Sequence, residues 1–298
     1  MVVSHSASNG IRALRDDSRL KITDEEFRRL REFIYAHSGI ALSDHKRALV
    51  CSRLAKRLRH HKLMSYAEYF RLLTENDPEG TECVAMINSI TTNKTDFFRE
   101  SHHFQFLTEK VFPEYRKNPN RTRPLRVWSA AASTGEEAYS IAMTALEATA
   151  PFTERDLLIL ATDIDTEVLA RAELGIYTRE QARQIPEALL RRYFLHRQGA
   201  HENEVLVKPI LKSLVRFRQL NLLEEPWPMQ TPFDVIFCRN VLIYFDKPTQ
   251  LKLFHRMAGM LKPDGYLMLG HSETMYGLVD DFKSVGHSIY QRHRKVTL

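Results

Sequence analysis

From Leu125 onward the chain alternates short apolar runs with longer stretches of helical periodicity, and this alternation restricts the fold more than any other feature. LRVWS (125–129), DLLILATD (156–163), FDVIFC (233–238) and YLMLG (266–270) are strand-length and largely lack a polar face, the mark of strands covered on both sides. Helical stretches, notably 135–148 and 248–261, separate them. Strands alternating with helices predict an α/β fold, a parallel sheet with crossover connections. Residues 194–220 break the rhythm by alternating polar and apolar positions as antiparallel strands do, which predicts a small β subdomain inserted at about 190–220.

The first third reads differently. Residues 1–20 show no apolar periodicity and form a loose tail. Thr23 with Glu26 makes a capping box, after which Phe27, Leu30, Phe33 and Ile34 keep helical spacing. Gly39 ends that helix, and Ser43 opens a second running to about Lys62. Ser65 with Glu68 caps a third, and Val84, Ile87 and Ile90 mark a fourth. The spacing thus predicts an all-α N-terminal domain over 21–91. A linker and connecting helix occupy 92–124, and the α/β domain fills 125–298. A length of 298 residues suits such a two-domain chain at about 150 residues per domain.

Composition excludes several classes. The longest unbroken apolar runs are about five residues, against roughly 20 for a membrane span. The N-terminus has no basic head followed by an apolar stretch, so no signal peptide is expected. Cys51, Cys83 and Cys238 are too scattered for a zinc site or a disulfide framework. The chain reads as cytoplasmic. Its net charge of +6 leaves nucleic acid, anionic membrane and an acidic protein open as partners.

Chemistry concentrates at the predicted strand ends. In VWSAAASTGEEAYS (127–140) a strand runs into small residues and then a helix, where a backbone can approach a ligand closely. Glu136 and Glu137 would repel a phosphate there and suit a cationic ligand such as the amino group of S-adenosylmethionine. They equally suit the positive end of the helix dipole, and the loop alone does not separate the two readings. The next strand ends in ATDID, where Asp163 can accept hydrogen bonds from both hydroxyls of a ribose while Asp165 caps the following helix. A later strand ends in Arg239 and Asn240, with Tyr244 shortly after. His102 and His103 are adjacent, so their rings point apart, which favours structural roles over a metal cage. His271 ends a strand near the cleft, and Cys238 packs close to it.

At these residues the chain resembles a known family, the chemotaxis receptor methyltransferases, CheR. TTNKTDFFRE, RVWSAAASTGEEAYSIAM, ATDIDTEVL, NLLEEPW, FDVIFCRNVLIYF and LKPDGYLMLGHSE carry the resemblance in that order, across roughly residues 20 to 292. It implies a helical N-terminal domain and a Rossmann-like methyltransferase domain with an inserted antiparallel β subdomain. The implied reaction moves a methyl group from S-adenosylmethionine to glutamates of chemoreceptor cytoplasmic helices, leaving S-adenosylhomocysteine. The resemblance places Asn93, Thr95 and Arg99 at the cofactor or beside the reacting centre. Glu137 takes the methionine end, Asp163 the ribose, Asn221 and Leu222 flank the adenine, and Arg239 and Asn240 complete the pocket. Arg99 and Tyr244 lie nearest the transferred methyl, and no metal is expected.

A glutamate with an ordinary pKa of about 4.3 is already a carboxylate near pH 7, so the acceptor needs no general base. Arg99 is expected to orient it, and Tyr244 to hydrogen-bond near the methyl. On the second helix Lys46, Arg53 and Arg57 share a face with His60, and Lys56 and Arg59 lie beside them. That pattern fits a solvated face; with the resemblance, it becomes a docking face for glutamate-rich receptor helices. The inserted β segment is by resemblance a second docking site, although its loop RQGAHENE holds a single glycine, Gly199. Two rivals remain: a nucleic-acid methyltransferase, disfavoured because the strand end CRNVLIYF lacks a proline motif, and a non-catalytic binding module. The absence of a long apolar surface helix points to a monomer.

Overall fold

The computed structural model describes residues 21–118, 122–230, 232–275 and 280–293. The chain divides into two compact units. Of the described residues, one unit comprises those through His37 together with Leu42–Ile90, and the other Ser38–Ala41 with those from Thr91 on; the tail expected over 1–20 lies outside the described residues.

The first unit is built from α1 (Asp24–Ser38), α2 (Arg47–His60), α3 (Tyr66–Glu75) and α4 (Thr81–Ile90), with one 3-10 turn (Asp44–Lys46) before α2. The capping box forms as the sequence dictates: Thr23 N–H donates to Glu26 Oε2 at 2.8 Å, and Glu26 N–H to Thr23 Oγ1 at 3.2 Å. Ser65 likewise accepts from Glu68 N–H at 3.2 Å. Phe27, Leu30, Ile34, Leu54, Leu58, Tyr69 and Met86 are buried and fill the core. One charged group joins them. Glu82, 5% exposed, is bonded by Arg57, by Tyr69 Oη at 2.7 Å and by His61 Nε2 at 2.6 Å. Burial pushes its carboxyl up, but these three partners outweigh it and hold the group below its ordinary value.

The second unit begins with α5 (His102–Phe106), which continues through a π-helical turn (Leu107–Val111) into α6 (Phe112–Lys117). There follow β1 (Leu125–Ser129), α7 (Glu136–Leu146), β2 (Leu157–Asp163), α8 (Thr166–Leu174), β3 (Ile176–Thr178), α9 (Glu187–Tyr193), β4 (Phe194–His196), β5 (Glu204–Val207), α10 (Pro209–Lys212), β6 (Val215–Gln219), β7 (Phe233–Cys238), α11 (Lys247–Met260), β8 (Leu261–Leu269), β9 (Phe282–Gly286) and β10 (Ile289–Arg292). The main sheet has the order β6-β2-β1-β7-β8-β10-β9, parallel from β6 to β8 and antiparallel at β10 and β9. Every residue of β7 is buried, which is why this strand reads as an apolar run broken only by Asp234, whose carboxylate is paired with Arg123 and Lys262.

A small antiparallel sheet, β3-β5-β4, is inserted after α8. Its bounds differ from the expected 190–220: it starts at Ile176 and its last strand ends at Val207. Residues 215–219 instead form the edge of the main sheet, with Ile159 opposite Val215 and Asp163 opposite Gln219. An edge strand buried on one face alternates buried and exposed positions whether its neighbour is parallel or antiparallel, so the pattern misassigned it. Among the described residues no helix is long and apolar enough to cross a membrane.

The order reverses between β1 and β7, and in such a sheet the crevice beyond the carboxyl ends of the strands at that point is where ligands bind. Ser129 and Arg239 stand there.

Glu82 yields a stability prediction. A carboxyl held low in the folded state contributes stability above its unfolded pKa of about 4.3 and loses it as pH falls through the folded value. Glu82→Ala, which leaves Arg57 without its carboxylate, should lower unfolding free energy at pH 7 by about 3–5 kcal/mol. In urea titrations the difference from wild type should shrink on going to pH 3; a pH-independent difference would contradict the assignment.

Candidate functional site at the strand ends

Asp163 closes β2 with only 8% of its surface exposed. Its Oδ2 accepts the Ser133 N–H at 2.8 Å and its Oδ1 the Asp165 N–H at 3.0 Å. Burial nevertheless pushes its pKa up. Asp165 caps α8 by accepting the Glu167 and Val168 N–H groups at Oδ1, and its Oδ2 accepts from Thr91 Oγ1 and Asn93 Nδ2, both at 2.7 Å. Asn93 is fixed a second time, since its carbonyl accepts Ser133 Oγ at 2.8 Å. The segment before α5 is thereby laced to the ends of β1 and β2.

The two glutamates that open α7 part company. Glu136 accepts from Thr134 Oγ1 at 2.6 Å, and burial raises its pKa. Glu137 faces the strand ends: Ser129 Oγ donates to its Oε1 at 2.7 Å and Arg239 Nη1 to its Oε2 at 2.9 Å. Arg239, with 2% of its side chain exposed, also lies 3.2 Å from Glu100 Oε2 and donates to the Arg99 carbonyl. Burial pushes the Glu100 carboxyl up, but the Arg239 guanidinium and the His271 N–H together outweigh it and hold the group below its ordinary value.

Gly135 initiates α7 at φ 94°; a Cβ there would lie 2.9 Å from Ala172 Cβ and 3.1 Å from Tyr177 Oη. Phe98, Glu100, Ser133 and Asn240 are non-glycine residues with φ of 54°, 57°, 49° and 59°. Such conformations cost on the order of 1–3 kcal/mol each and persist only where surroundings over-determine them.

The expected residues fall into distinct sets. Asn93 and Asp163 belong to one hydrogen-bonded network, with Ser133 and Asp165, and Glu137, Arg239 and the backbone of Arg99 belong to another, with Ser129. The Leu220 N–H donates to the Asp163 carbonyl at 2.9 Å, which places Asn221 and Leu222 directly beyond that end of β2. Thr95 lies within the 93–99 segment, and the Arg99 side chain is half-buried, donating to the Lys94 carbonyl at 3.1 Å. Tyr244 lies in the 3-10 turn after Asn240, its carbonyl accepting the Ala41 N–H at 2.8 Å.

Sequence reasoning missed Glu273. This glutamate, 5% exposed, accepts the N–H groups of Asn240 and Leu242 at 2.8 Å and of Gly270 at 2.7 Å. It holds the turn that carries Asn240, at a pKa raised by burial. Gly270 is needed beside it, because a Cβ there would stand 2.4 Å from Asn240 Nδ2. Only its place in GHSE hinted at a role, since backbone N–H partners leave no periodic trace.

In the first unit the basic residues of α2, with Lys46 in the turn before it, are not one uniform face. Lys56 and Arg59 are exposed and Lys46 is half-buried. Arg53 donates to the Ile90 carbonyl at 2.6 Å, and Arg57 is held by Glu82.

Two family models match the chain. One, described as the CheR methyltransferase SAM binding domain, covers residues 93–291, and the CheR methyltransferase all-alpha domain covers 25–91. The chain belongs to the CheR methyltransferase family. It is 47% identical over 268 residues to chemotaxis protein methyltransferase 2 of Pseudomonas aeruginosa, spanning 90% of this chain and 93% of that one. It is 46% identical over 274 residues to the chemotaxis protein methyltransferase of Escherichia coli, spanning 91% and 92%. The CheR domain that binds S-adenosylmethionine thus coincides with the unit that carries the strand-end networks.

In this CheR chain, Glu273→Gln replaces one acceptor oxygen with an amide that cannot accept, so at least one buried N–H loses its partner. Unfolding free energy measured in urea should fall by about 1–3 kcal/mol. An unchanged value would mean that the turn carrying Asn240 does not depend on this carboxylate.

Proposed function

We propose that this chain transfers the methyl group of S-adenosylmethionine to the γ-carboxylate of specific glutamates on chemoreceptor cytoplasmic helices, forming methyl esters. The observation that carries the reading is the pair of buried carboxylates at adjacent strand ends in a CheR domain. A carboxylate has about four lone-pair directions. Asp163 gives part of its capacity to backbone N–H groups, and Glu137 gives part to Ser129 and Arg239. What remains suits a vicinal diol at Asp163 and an ammonium at Glu137, so the residues present fit the cofactor.

The cofactor supplies an activated methyl group as a sulfonium. A glutamate oxygen of the receptor forms the new bond to that carbon as the carbon–sulfur bond breaks, its electron pair passing to sulfur. No proton moves, and no base is assigned. Asn93, Thr95, Asn221, Leu222, Arg239 and Asn240 complete the cofactor pocket. Arg99 orients the incoming carboxylate through two fixed N–H donors, and Tyr244 hydrogen-bonds beside the methyl. Alignment of this kind can recover about 7–11 kcal/mol of a barrier.

Exposed Lys56 and Arg59, with Lys46, Arg53 and Arg57 alongside, attract the acidic receptor helix, and screening weakens that attraction as salt rises. The chain acts as a cytoplasmic monomer, with neither nucleic acid nor membrane insertion involved.

The experiment is transfer of radiolabelled methyl from S-adenosylmethionine to isolated receptor cytoplasmic fragments, with tRNA and DNA as controls. Base-labile label on the receptor alone, declining with added salt, is expected. Label on nucleic acid, or base-stable label, would overturn the reading. In the same assay Arg99→Ala should lower kcat by more than it lowers S-adenosylhomocysteine affinity; equal losses would contradict its assigned role.

A further inference from the structure

Adjacent His102 and His103 do not point apart as their sequence positions suggest: their ring centroids lie 4.1 Å apart, tilted by 52°. His103 is fully buried, its ring 6.2 Å from that of Phe237, and neither ring nitrogen has a hydrogen bond. His102 is only partly buried and meets a second ring on its other side. Its ring lies parallel to that of His271, with centroids 4.9 Å apart and 4° between planes. One ring nitrogen of each and one oxygen of Glu100 all lie within 4.8 Å of one another.

Two further observations give this trio the character of a ligand set. His102 Nε2 lies 3.1 Å from the His287 carbonyl oxygen. A carbonyl only accepts, so Nε2 carries the proton and the lone pair sits on Nδ1. Metal-bound imidazoles are commonly fixed in this way, by a carbonyl on the other nitrogen. Glu100 is the second. Its side chain is 7% exposed, yet Oε2 makes no hydrogen bond, facing Arg239 at 3.2 Å, while Oε1 accepts the His271 N–H at 3.3 Å. Beyond its ion pair with Arg239, Oε2 has no hydrogen-bond donor, with His103 Nδ1 3.8 Å away, so the carboxylate can still offer a lone pair beside the two imidazoles.

We propose that Glu100, His102 and His271 bind a transition-metal dication of the kind that prefers imidazole with a carboxylate, such as Zn2+ or Ni2+. Bonds of about 2.0–2.2 Å in a tetrahedral set place ligand atoms about 3.4 Å apart. To reach that spacing from 4.8 Å, the parallel His102 and His271 rings must turn out of their stack, a movement the exposure of His271 leaves room for. Three protein ligands leave the fourth position to solvent. A bound dication competes with Arg239 for Glu100, and Arg239 is the cation that also holds Glu137. Metal binding and cofactor affinity are thus coupled, and by linkage the coupling runs both ways. The coupling rests on the cofactor site proposed above, whereas metal binding does not.

The test uses the full chain without a histidine tag, titrated with Zn2+ and with Ni2+ in competition with a chromophoric chelator. One tight equivalent is expected, weakened at least about tenfold in His102→Ala and in His271→Ala. Exposed His201, 3.2 Å from Glu204, serves as a surface control, and His201→Ala should bind as wild type does. Should His102→Ala fail to fold, the exposed His271 carries the test. Absent stoichiometric binding, or binding unchanged in His271→Ala, overturns the site. Calorimetry of S-adenosylhomocysteine with and without one equivalent of Zn2+ addresses the coupling. Affinity should shift in wild type and stay constant in His271→Ala. S-adenosylhomocysteine that binds with unchanged affinity overturns the coupling alone, and S-adenosylhomocysteine that does not bind at all contradicts the proposed cofactor site instead.

Discussion

A guanidinium with 2% of its side chain exposed is expensive to bury unless its charge is answered on the spot, and Arg239 is answered by Glu137 and Glu100. Arg239 itself follows the end of β7, and its two partners come from the start of α7 and the segment before α5. The arginine also donates to the Arg99 carbonyl, so one side chain ties three loops that would otherwise be independent. Such a group is weak support for stability in itself, since an apolar replacement can be equally stable. Its use here is orientation, because two carboxylates with fixed donors cannot rotate freely.

The same logic recurs at each strand end with a different donor. Asp163 is held by backbone N–H groups, Asp165 by a helix start and by Asn93, and Glu273 by three N–H groups around Asn240. Each carboxylate spends part of its acceptor capacity on the protein. These fixed carboxylates surround the proposed cofactor site, and the left-handed Ser133 and Asn240 sit beside Asp163 and Glu273, which they bond through their N–H groups. A preformed site of this kind loses little entropy on binding and suits a reaction that asks for alignment rather than proton transfer.

Much of this was legible in the sequence, for reasons that differ by element. β1 and β7 were read directly, because buried central strands are mostly apolar runs of the right length, interrupted only by Arg126 and Ser129 in one and Asp234 in the other. The capping box at Thr23 and the cap at Ser65 were read because their partners lie three residues away. β6 was misassigned because burial on one face gives the same alternation in either strand direction. Arg57 looked solvated on a helical wheel since its partner, Glu82, lies 25 residues on, beyond any local pattern. Glu273 and the His102–His271 pairing were missed for a related reason: their meaning depends on loops brought together by the sheet, 171 residues apart in the case of Glu100 and His271.

The central claim is that Arg239 and Glu137 act as one unit in shaping the cofactor pocket. A double-mutant cycle on S-adenosylhomocysteine affinity, using Arg239→Gln, Glu137→Gln and the pair, tests it most directly. The two single losses should exceed the loss in the double variant, with a coupling of about 0.5–3 kcal/mol. Losses that simply add would show that the two side chains contribute independently, and would contradict the account.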